Sequence, residues 1–339
     1  MATATFITSD GVQHQVAVDQ TSTILEAAEA SGLMLLSRCR HGVCGTCRGR
    51  LAAGQVAAGG SVIKAGGLGQ ISICQSVAQA DVTIQLPYAD DRIGRLALPQ
   101  RTAVVETLDR GPGGVVRMGL RLMDDPEHAS RLVFIPGQYA YLTPPGQTKA
   151  SAFSFATPPR EDNTVAFFIK VVPGGSFSAY LEGPAGVGDV IGLRGPEGTF
   201  TLRDNGPRPR WFVCGGSGLA PMMSMLGRMA DRGDTNQATL ILGVARPDQV
   251  FATDELAALA AQLPALHTVI SVDSTADLPW DGLVGNAVDA MRARFAELGD
   301  SAERPDIYLC GPPGLLAAAR ACAVANGVPN DQVYEESLG

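Results

Sequence analysis

Short runs that alternate between apolar and polar residues occupy the first part of the chain, and such alternation is typical of half-buried strands. Asp10-Gly11 indicates a hairpin turn between the first two runs. A helix with a hydroxyl N-cap, early acids and a glycine stop is predicted within Thr21–Gly32. The predicted strands are Thr3–Ile7, Gln13–Val18, Gln70–Cys74 and Val82–Leu86. The pattern therefore predicts a small mixed α+β unit.

The middle part is a series of strand-like runs separated by turn residues at short intervals. These runs are Thr102–Leu108, Val115–Leu122, Gln138–Leu142, Val165–Val172 and Asp189–Leu193. Many short strands with turns between them are typical of an antiparallel barrel.

The last part changes to continuous apolar strands that alternate with helical stretches. The strands are Trp211–Cys214, Thr239–Val244, His267–Val272 and Asp306–Cys310. This alternation predicts a doubly wound parallel sheet of buried strands, which binds its ligand at the carboxyl ends of the strands.

Composition narrows the function classes. The 339 residues are enough for two or three domains, and a net charge of -8 argues against general nucleic-acid binding. No run reaches the roughly 18 apolar residues that a membrane span needs. The start of the chain shows no basic and apolar leader, so we expect a cytoplasmic protein.

Four cysteines carry the most specific signal. Cys39, Cys44 and Cys47 follow the spacing C-x4-C-x2-C, and Cys74 stands alone downstream. This is the ligand pattern of a plant-type 2Fe-2S cluster, and Gly42 and Gly45 suit a loop that needs positive φ. A zinc site would use paired cysteines, and disulfides would need an oxidising compartment. His41 is interpreted as a solvated side chain.

The segment from Ala30 to Ala80 contains five cations and no Asp or Glu. The cations are Arg38, Arg40, Arg48, Arg50 and Lys64. Two interpretations stay open. In the first, the cations offset the negative charge of a thiolate-ligated cluster. In the second, they form a basic rim that docks an acidic electron-transfer partner.

On these residues, the first part resembles plant-type ferredoxin domains. The middle part carries three motif regions, which are Pro136–Tyr139 with Ser151–Thr157, Val171–Ser178, and Gly195–Phe200. With these motifs, residues 100–205 resemble the flavin domain of the ferredoxin–NADP reductase superfamily. The resemblance implies that Phe153 packs on the flavin, that Ser154 reaches its N5 edge, and that Gly174, Gly175 and Ser178 lie nearby. It also implies FAD rather than FMN. Ser151 occupies the position of the arginine that meets the phosphates in that family, and Lys149 or the helix opening at Gly174–Ser176 is the candidate replacement.

Two glycine-rich motifs resemble the nicotinamide domain of the same superfamily. They are Gly215-Gly216-Ser217-Gly218 and Cys310-Gly311-Pro312, although Pro221 departs from the G-x-G-x-x-G pattern. The resemblance places Cys310 beside the nicotinamide ring. Cys214 and Cys322 are interpreted as core residues.

The choice of coenzyme is predicted to depend on Arg246 and Asp248. Arg246 suits the 2′-phosphate of NADPH, whereas Asp248 suits the free ribose 2′-hydroxyl of NADH. We favour NADH, because one arginine without further cations is a weak phosphate-binding site. Leu338 stands where relatives have an aromatic residue near the flavin.

The module order covers the whole chain and resembles the reductase components of bacterial multicomponent oxygenases, such as benzoate-type dioxygenases or di-iron monooxygenases. We therefore expect a ferredoxin-like β-grasp 2Fe-2S domain (1–92), an antiparallel FAD-binding barrel (98–206) and a doubly wound nicotinamide-binding domain (208–339). The resemblance implies electron flow from NADH through FAD and the cluster to a terminal oxygenase or ferredoxin, with Ser154 and Cys310 at the reacting centre. The alternatives are a reductase for sugar deoxygenation or quinones, and a flavin-free carrier.

Overall fold

The computed structural model describes residues 2–18, 22–37, 42, 45–66, 69–93, 100–123, 132–203, 205–298 and 303–338. The chain forms two compact units, Met1–Pro99 and Gln100–Gly339. The predicted domain boundaries at 92, 98, 206 and 208 stay predictions.

The first unit is a mixed sheet with one helix packed against it. Its elements are β1 (Ala2–Ile7), β2 (Gln13–Val18), α1 (Ile24–Ala30), β3 (Arg48–Ala53), β4 (Gln55–Ala58), β5 (Ser61–Lys64), β6 (Gln70–Ser72), β7 (Val77–Ala78) and β8 (Val82–Gln85). The main sheet has the order β2-β1-β8-β3-β6, in which β1 and β8 are parallel and the other pairs are antiparallel. Strand β4 pairs with β5 and β7 in a second, small sheet. The predicted β-grasp arrangement is confirmed.

Helix α1 begins where the sequence predicts a hydroxyl cap. Thr23 Oγ1 accepts a hydrogen bond from the Glu26 N–H, and the Glu26 carboxylate accepts one from the Thr23 N–H at 2.8 Å. This capping box satisfies two N–H groups that the first turn leaves open. The helix then buries Ile24, Leu25 and Ala28 in the core of the first unit.

Two details of the first unit were predicted wrongly. The strand expected to run to Cys74 ends at Ser72, and residues Ile73–Gln75 form a 3-10 turn that buries Cys74. Strands β3, β4, β5 and β7 were not predicted. They are two to six residues long and carry few large apolar side chains, so pairing with neighbours rather than local pattern makes them strands.

The barrel occupies the first half of the second unit. Its elements are β9 (Gln100–Arg110), β10 (Val115–Leu122), β11 (Tyr139–Thr143), β12 (Ser151–Ser154), β13 (Thr164–Lys170), α2 (Ser176–Glu182) and β14 (Val190–Glu197). The strands are antiparallel in the order β12-β11-β14-β9-β10-β13. A bridge between Phe155 and Phe167 joins the two end strands, so the predicted barrel is nearly closed.

The second half of this unit is a parallel sheet with helices on both faces. Its elements are β15 (Arg210–Gly215), α3 (Leu219–Asp231), β16 (Ala238–Val244), α4 (Thr253–Gln262), β17 (Leu266–Val272), β18 (Leu283–Val284), α5 (Ala287–Leu298), β19 (Asp306–Gly311), α6 (Pro313–Ala325) and β20 (Val333–Ser337). The strand order is β18-β17-β16-β15-β19-β20.

Alternate residues of β15 show that the sheet is doubly wound. Phe212 and Cys214 pack with α3 and α4, whereas Trp211 and Val213 pack with α5 and α6. Strand β17 is only half buried, contrary to the prediction of a buried strand, because its outer neighbour β18 is just two residues long. No helix in the described part of the chain combines the length and apolar content needed to cross a bilayer.

Candidate functional site

The order of the parallel strands reverses between β15 and β19, which pair side by side at Cys214 and Cys310. In doubly wound sheets this reversal opens a crevice at the carboxyl ends of the strands, where ligands bind. The loop Gly215–Gly218 follows one strand end, and a Cβ atom on Gly218 would lie 2.3 Å from the Cys310 carbonyl oxygen. Only glycine permits this close approach.

A cavity of about 880 Å³ lies at this edge and extends to the barrel. The barrel contributes Phe153 and Ser154 from β12, and Phe168 and Lys170 from β13. The sheet edge contributes Gly215, Gly216, Ser217 and Pro312, and the C-terminal tail contributes Leu338. The structure thus brings some of the predicted flavin and nicotinamide residues to one cavity, whose volume is typical of small-molecule sites.

Other predicted site residues do not line this cavity. They are Gly174, Gly175, Ser178, Gly218, Arg246, Asp248, Cys310 and Gly311. The hydroxyl of Ser178 accepts a hydrogen bond from the Val172 N–H at 2.9 Å, which holds the turn before α2. The cofactor-binding roles of these eight residues stay predictions.

Cys310 lies fully buried at the end of β19, beside Gly218. Burial raises the pKa of its thiol well above the ordinary value, and the Glu336 carboxylate adds to the rise. The thiol is therefore protonated at neutral pH. The tail is fixed over this strand end, because the Leu338 N–H donates to the Gly311 carbonyl at 3.1 Å.

Sequence reasoning missed several cavity residues. Phe168 packs edge-to-face on Phe251 at 5.4 Å between ring centroids, which joins the barrel to the parallel sheet. Asp273, Asn286 and Arg292 line the part of the cavity near α5. Asp273 directly follows β17. An acid after a parallel strand is the sequence signal that could have identified it.

Two of the four cysteines predicted to bind the cluster, Cys47 and Cys74, lie side by side in the described part of the first unit. The Sγ atoms of Cys47 and Cys74 lie 3.1 Å apart in a buried site, and the two residues do not form a disulfide. Their hydrogen bond lowers the pKa of Cys47 to about 6, which favours the thiolate that binds metal. Gly42 and Gly45 both have φ of 74°, as predicted. Cys39, Cys44, Arg38, Arg40 and His41 lie outside the described residues.

The cavity and the thiol pair suit the cofactors that the motifs imply. The ring of Phe153 and the largely buried hydroxyl of Ser154 give the cavity an apolar wall with one polar group, which suits a flavin ring. Two buried thiols side by side, with the pKa of Cys47 lowered, suit iron. The donor chemistry of the described residues therefore fits both groups.

Ser154→Ala is expected to slow flavin reduction by NADH roughly 10-fold, because the cavity loses the polar group that the motif places at the flavin N5 edge. Anaerobic stopped-flow absorbance measures this rate, and the dissociation constant of NADH should stay unchanged. Thr102→Ala, an exposed hydroxyl on β9 outside the cavity, is the control. An unchanged rate in Ser154→Ala would remove this assignment.

Comparison with known families assigns each part of the chain. Residues 7–79 match the family of 2Fe-2S iron-sulfur cluster binding domains. Residues 118–202 match the oxidoreductase FAD-binding domain, and residues 212–321 match the oxidoreductase NAD-binding domain. The three cofactors expected from the sequence are thus confirmed.

Similar proteins match over nearly the whole chain. The reductase component of propane 2-monooxygenase from Rhodococcus jostii is 31% identical over 98% of this chain and 90% of its own length. The electron transfer component of toluate 1,2-dioxygenase from Pseudomonas putida is 30% identical over 97% of this chain and 96% of its own length.

Solved structures share the fold at full length. The Amycolatopsis cytochrome P450 reductase GcoB has a TM-score of 0.72 and 25% identity, covering 98% of both chains. The ferredoxin reductase of carbazole 1,9a-dioxygenase has a TM-score of 0.75 and 24% identity, covering 99% of this chain and 98% of its own.

The order of the three domains fits electron flow from NADH to FAD and on to the 2Fe-2S cluster. The relatives that match over nearly the full length are reductase or electron transfer components. The domain order and these relatives show that the protein is an NAD(P)H-dependent oxidoreductase. The chain belongs to the family of reductase components of multicomponent oxygenases.

Proposed function

We propose that this protein oxidises NADH in the cytoplasm and delivers single electrons to the terminal oxygenase, or an intervening ferredoxin, of a hydrocarbon-hydroxylating system. The observation that carries the proposal is the cavity in which Ser154 of the barrel and the Gly215–Ser217 loop meet. Full-length similarity to reductases of both monooxygenases and dioxygenases supports an oxygenase as the acceptor.

The residues of the chain position and shield the groups that react. A bound flavin would supply a hydride acceptor, and a 2Fe-2S cluster would supply one-electron transfer. Phe153 and Ser154 orient the flavin ring, and the glycine loop lets the coenzyme backbone approach the sheet edge. Leu338 closes the cavity at the tail and limits access of water.

We place the docking surface for the acceptor on a basic rim made by Arg48, Arg50 and Lys64, all exposed in the first unit. Arg48 lies against the cysteine loop, because a Cβ atom on Gly45 would lie 3.4 Å from its Nε. Cys47, whose sulfur faces Cys74, is the residue before Arg48. A cationic rim at the cluster would steer an acidic partner surface toward it.

Arg48→Glu/Arg50→Glu is expected to slow electron transfer to the terminal acceptor about 10-fold at low salt, because reversed charge repels an acidic partner. The wild-type rate should fall as salt rises, and the variant rate should depend on salt much less. Stopped-flow reduction of the purified acceptor at several salt concentrations measures both effects. Arg92→Glu, an exposed cation outside the rim, is the control. A wild-type rate that is independent of salt would contradict the docking rim.

The acceptor class is tested by reconstitution. The NADH-reduced protein is mixed with purified terminal oxygenases of the di-iron and the Rieske class, and substrate hydroxylation coupled to NADH oxidation is measured. Coupled product formation with one class supports the proposal and identifies the partner type. NADH oxidation without hydroxylation by either class would contradict an oxygenase as the acceptor.

A further inference from the structure

A second cavity, of about 680 Å³, lies at the amino ends of the parallel strands of the second unit. Strand β15 runs from Arg210, which lines this second cavity, to Gly215, which lines the cavity of Ser154. Helix α3 likewise begins beside the first cavity with Ala220 and reaches the second with Arg228 in its last turn. A helix of 13 residues is about 20 Å long. The second cavity is therefore separate from the site of the coenzyme.

Positive charge dominates the second cavity. The charged side chains that line it are four arginines and one aspartate, namely Arg203, Arg210, Arg228, Arg232 and Asp234. The buried Arg210 donates to Asp234 Oδ2 at 2.6 Å, and Asp234 Oδ1 accepts from the Asn236 N–H at 2.9 Å. This carboxylate therefore offsets the charge of Arg210. The other three arginines face a cavity wall that offers them no further carboxylate among its lining residues.

Arg228 and Arg232 lie one turn apart at the end of α3. The Arg232 N–H donates to the Arg228 carbonyl at 3.2 Å, so the two residues share one face of the helix. Like charges at this spacing repel, and the negative end of the helix dipole offsets part of that repulsion. Arg228 is half-buried, yet in the part of the chain that the structure describes neither guanidinium has a hydrogen-bond or ion-pair partner. An anion between the two would receive charge-assisted hydrogen bonds from both.

The same cavity has an apolar wall that nothing in the described chain covers. Val133 and Ile135, in the segment before β11, line the cavity and are 70% and 55% exposed. Pro159 and Leu202 continue this wall. Exposed apolar side chains grouped beside arginines are typical of a surface that binds a ligand. The concave shape and the volume of the cavity suit a small molecule.

We propose that the second cavity binds a small amphiphilic anion, an apolar body that carries one carboxylate or phosphate group. The head group lies between Arg228 and Arg232, and the apolar body lies on Val133 and Ile135. Guanidinium groups bind carboxylate and phosphate oxygens with the same paired geometry, so the two head groups share this chemistry. The cavity is thus a second ligand site, at the opposite end of α3 from the coenzyme.

Isothermal titration calorimetry of the holoenzyme tests this proposal, with NAD⁺ at saturation so that the coenzyme cavity is occupied. The probes share one apolar body and differ in the head group: naphthyl phosphate, naphthoate and the neutral naphthalenemethanol. At least one anionic probe is expected to bind with a Kd below about 1 mM, and the neutral alcohol at least about 10-fold more weakly. The anion that binds more tightly identifies the head group.

Arg228→Gln/Arg232→Gln is expected to weaken binding of the anionic probe at least about 10-fold, because the charge-assisted hydrogen bonds are lost. Without a probe its melting temperature should stay near that of the wild type, since neither side chain has a partner in the described chain to lose. Val133→Ser/Ile135→Ser should weaken the binding of all three probes, because the apolar wall is removed.

Arg92→Gln/Arg294→Gln is the matched control, because it removes the same charge outside the cavity. This variant should bind the probes as the wild type does. Anionic probes that bind no more tightly than the neutral alcohol would overturn the proposal, and so would an unchanged affinity in Arg228→Gln/Arg232→Gln. Binding of an acidic peptide without binding of either anionic probe would also overturn it, and would assign the cavity to a segment of a partner protein.

Discussion

Cys74→Ser abolishes electron delivery to the terminal acceptor, with an expected loss of more than about 100-fold, because a serine hydroxyl is a poor substitute for a thiolate ligand of iron. Cys74 is buried with its sulfur 3.1 Å from that of Cys47, so its replacement removes one of the predicted cluster ligands. NADH-dependent reduction of ferricyanide should stay within about twofold of wild type, because the flavin site belongs to the other compact unit. Steady-state assays with the two acceptors measure this difference.

Cys322→Ser is the matched control. Cys322 is a buried thiol in α6 of the second unit, where it lies near the Asn326 amide, and it has no assigned role. The control variant should transfer electrons to both acceptors at wild-type rates. If Cys74→Ser still delivered electrons at the wild-type rate, Cys74 would not be a cluster ligand.

Gly218→Ala is expected to raise the KM for NADH more than about 10-fold and to lower the melting temperature by several degrees. The added Cβ atom would lie 2.3 Å from the carbonyl oxygen and 2.8 Å from the carbonyl carbon of Cys310, and both are backbone atoms that cannot rotate away. The glycine loop must therefore separate from the end of β19. That movement opens the edge where the nicotinamide half of the cavity forms.

Initial-rate kinetics and calorimetry test this prediction, and Gly186→Ala is the control. A Cβ atom on Gly186 would meet no atom within 4 Å, so this variant should behave as wild type. A Gly218→Ala protein with wild-type KM and melting temperature would show that the loop and β19 do not need their close approach.

The strands predicted best from the sequence are those in which apolar and polar residues alternate and turn residues mark both ends. Gln13–Val18 and Val115–Leu122 have the bounds that were expected, since each alternates cleanly between turn residues. The small strands β4 and β5 were missed because Q-V-A-A and S-V-I-K carry little pattern and depend on pairing with each other. The 3-10 turn at Cys74 follows the apolar alternation of β6, which made it resemble a continued strand.

The motifs located part of the cavity wall but not all of it, since Gly174, Gly175 and Cys310 do not line the cavity. Phe153, Ser154 and the Gly215–Ser217 loop line one cavity, and their roles toward flavin and nicotinamide stay predictions. Asp273 and Arg292 belong to no such motif, and they reach the cavity because α5 packs on the end of β16 at Gly243. This packing joins elements that are distant in sequence, so no local pattern reports it.

The most direct test of the whole account is an anaerobic titration of the as-isolated protein with NADH, following the visible spectrum and counting electrons accepted. The account predicts three electrons per chain, two for the flavin and one for the cluster, with NADH preferred over NADPH. Bleaching of the cluster bands without any flavin signal, or no response to either nucleotide, would contradict it.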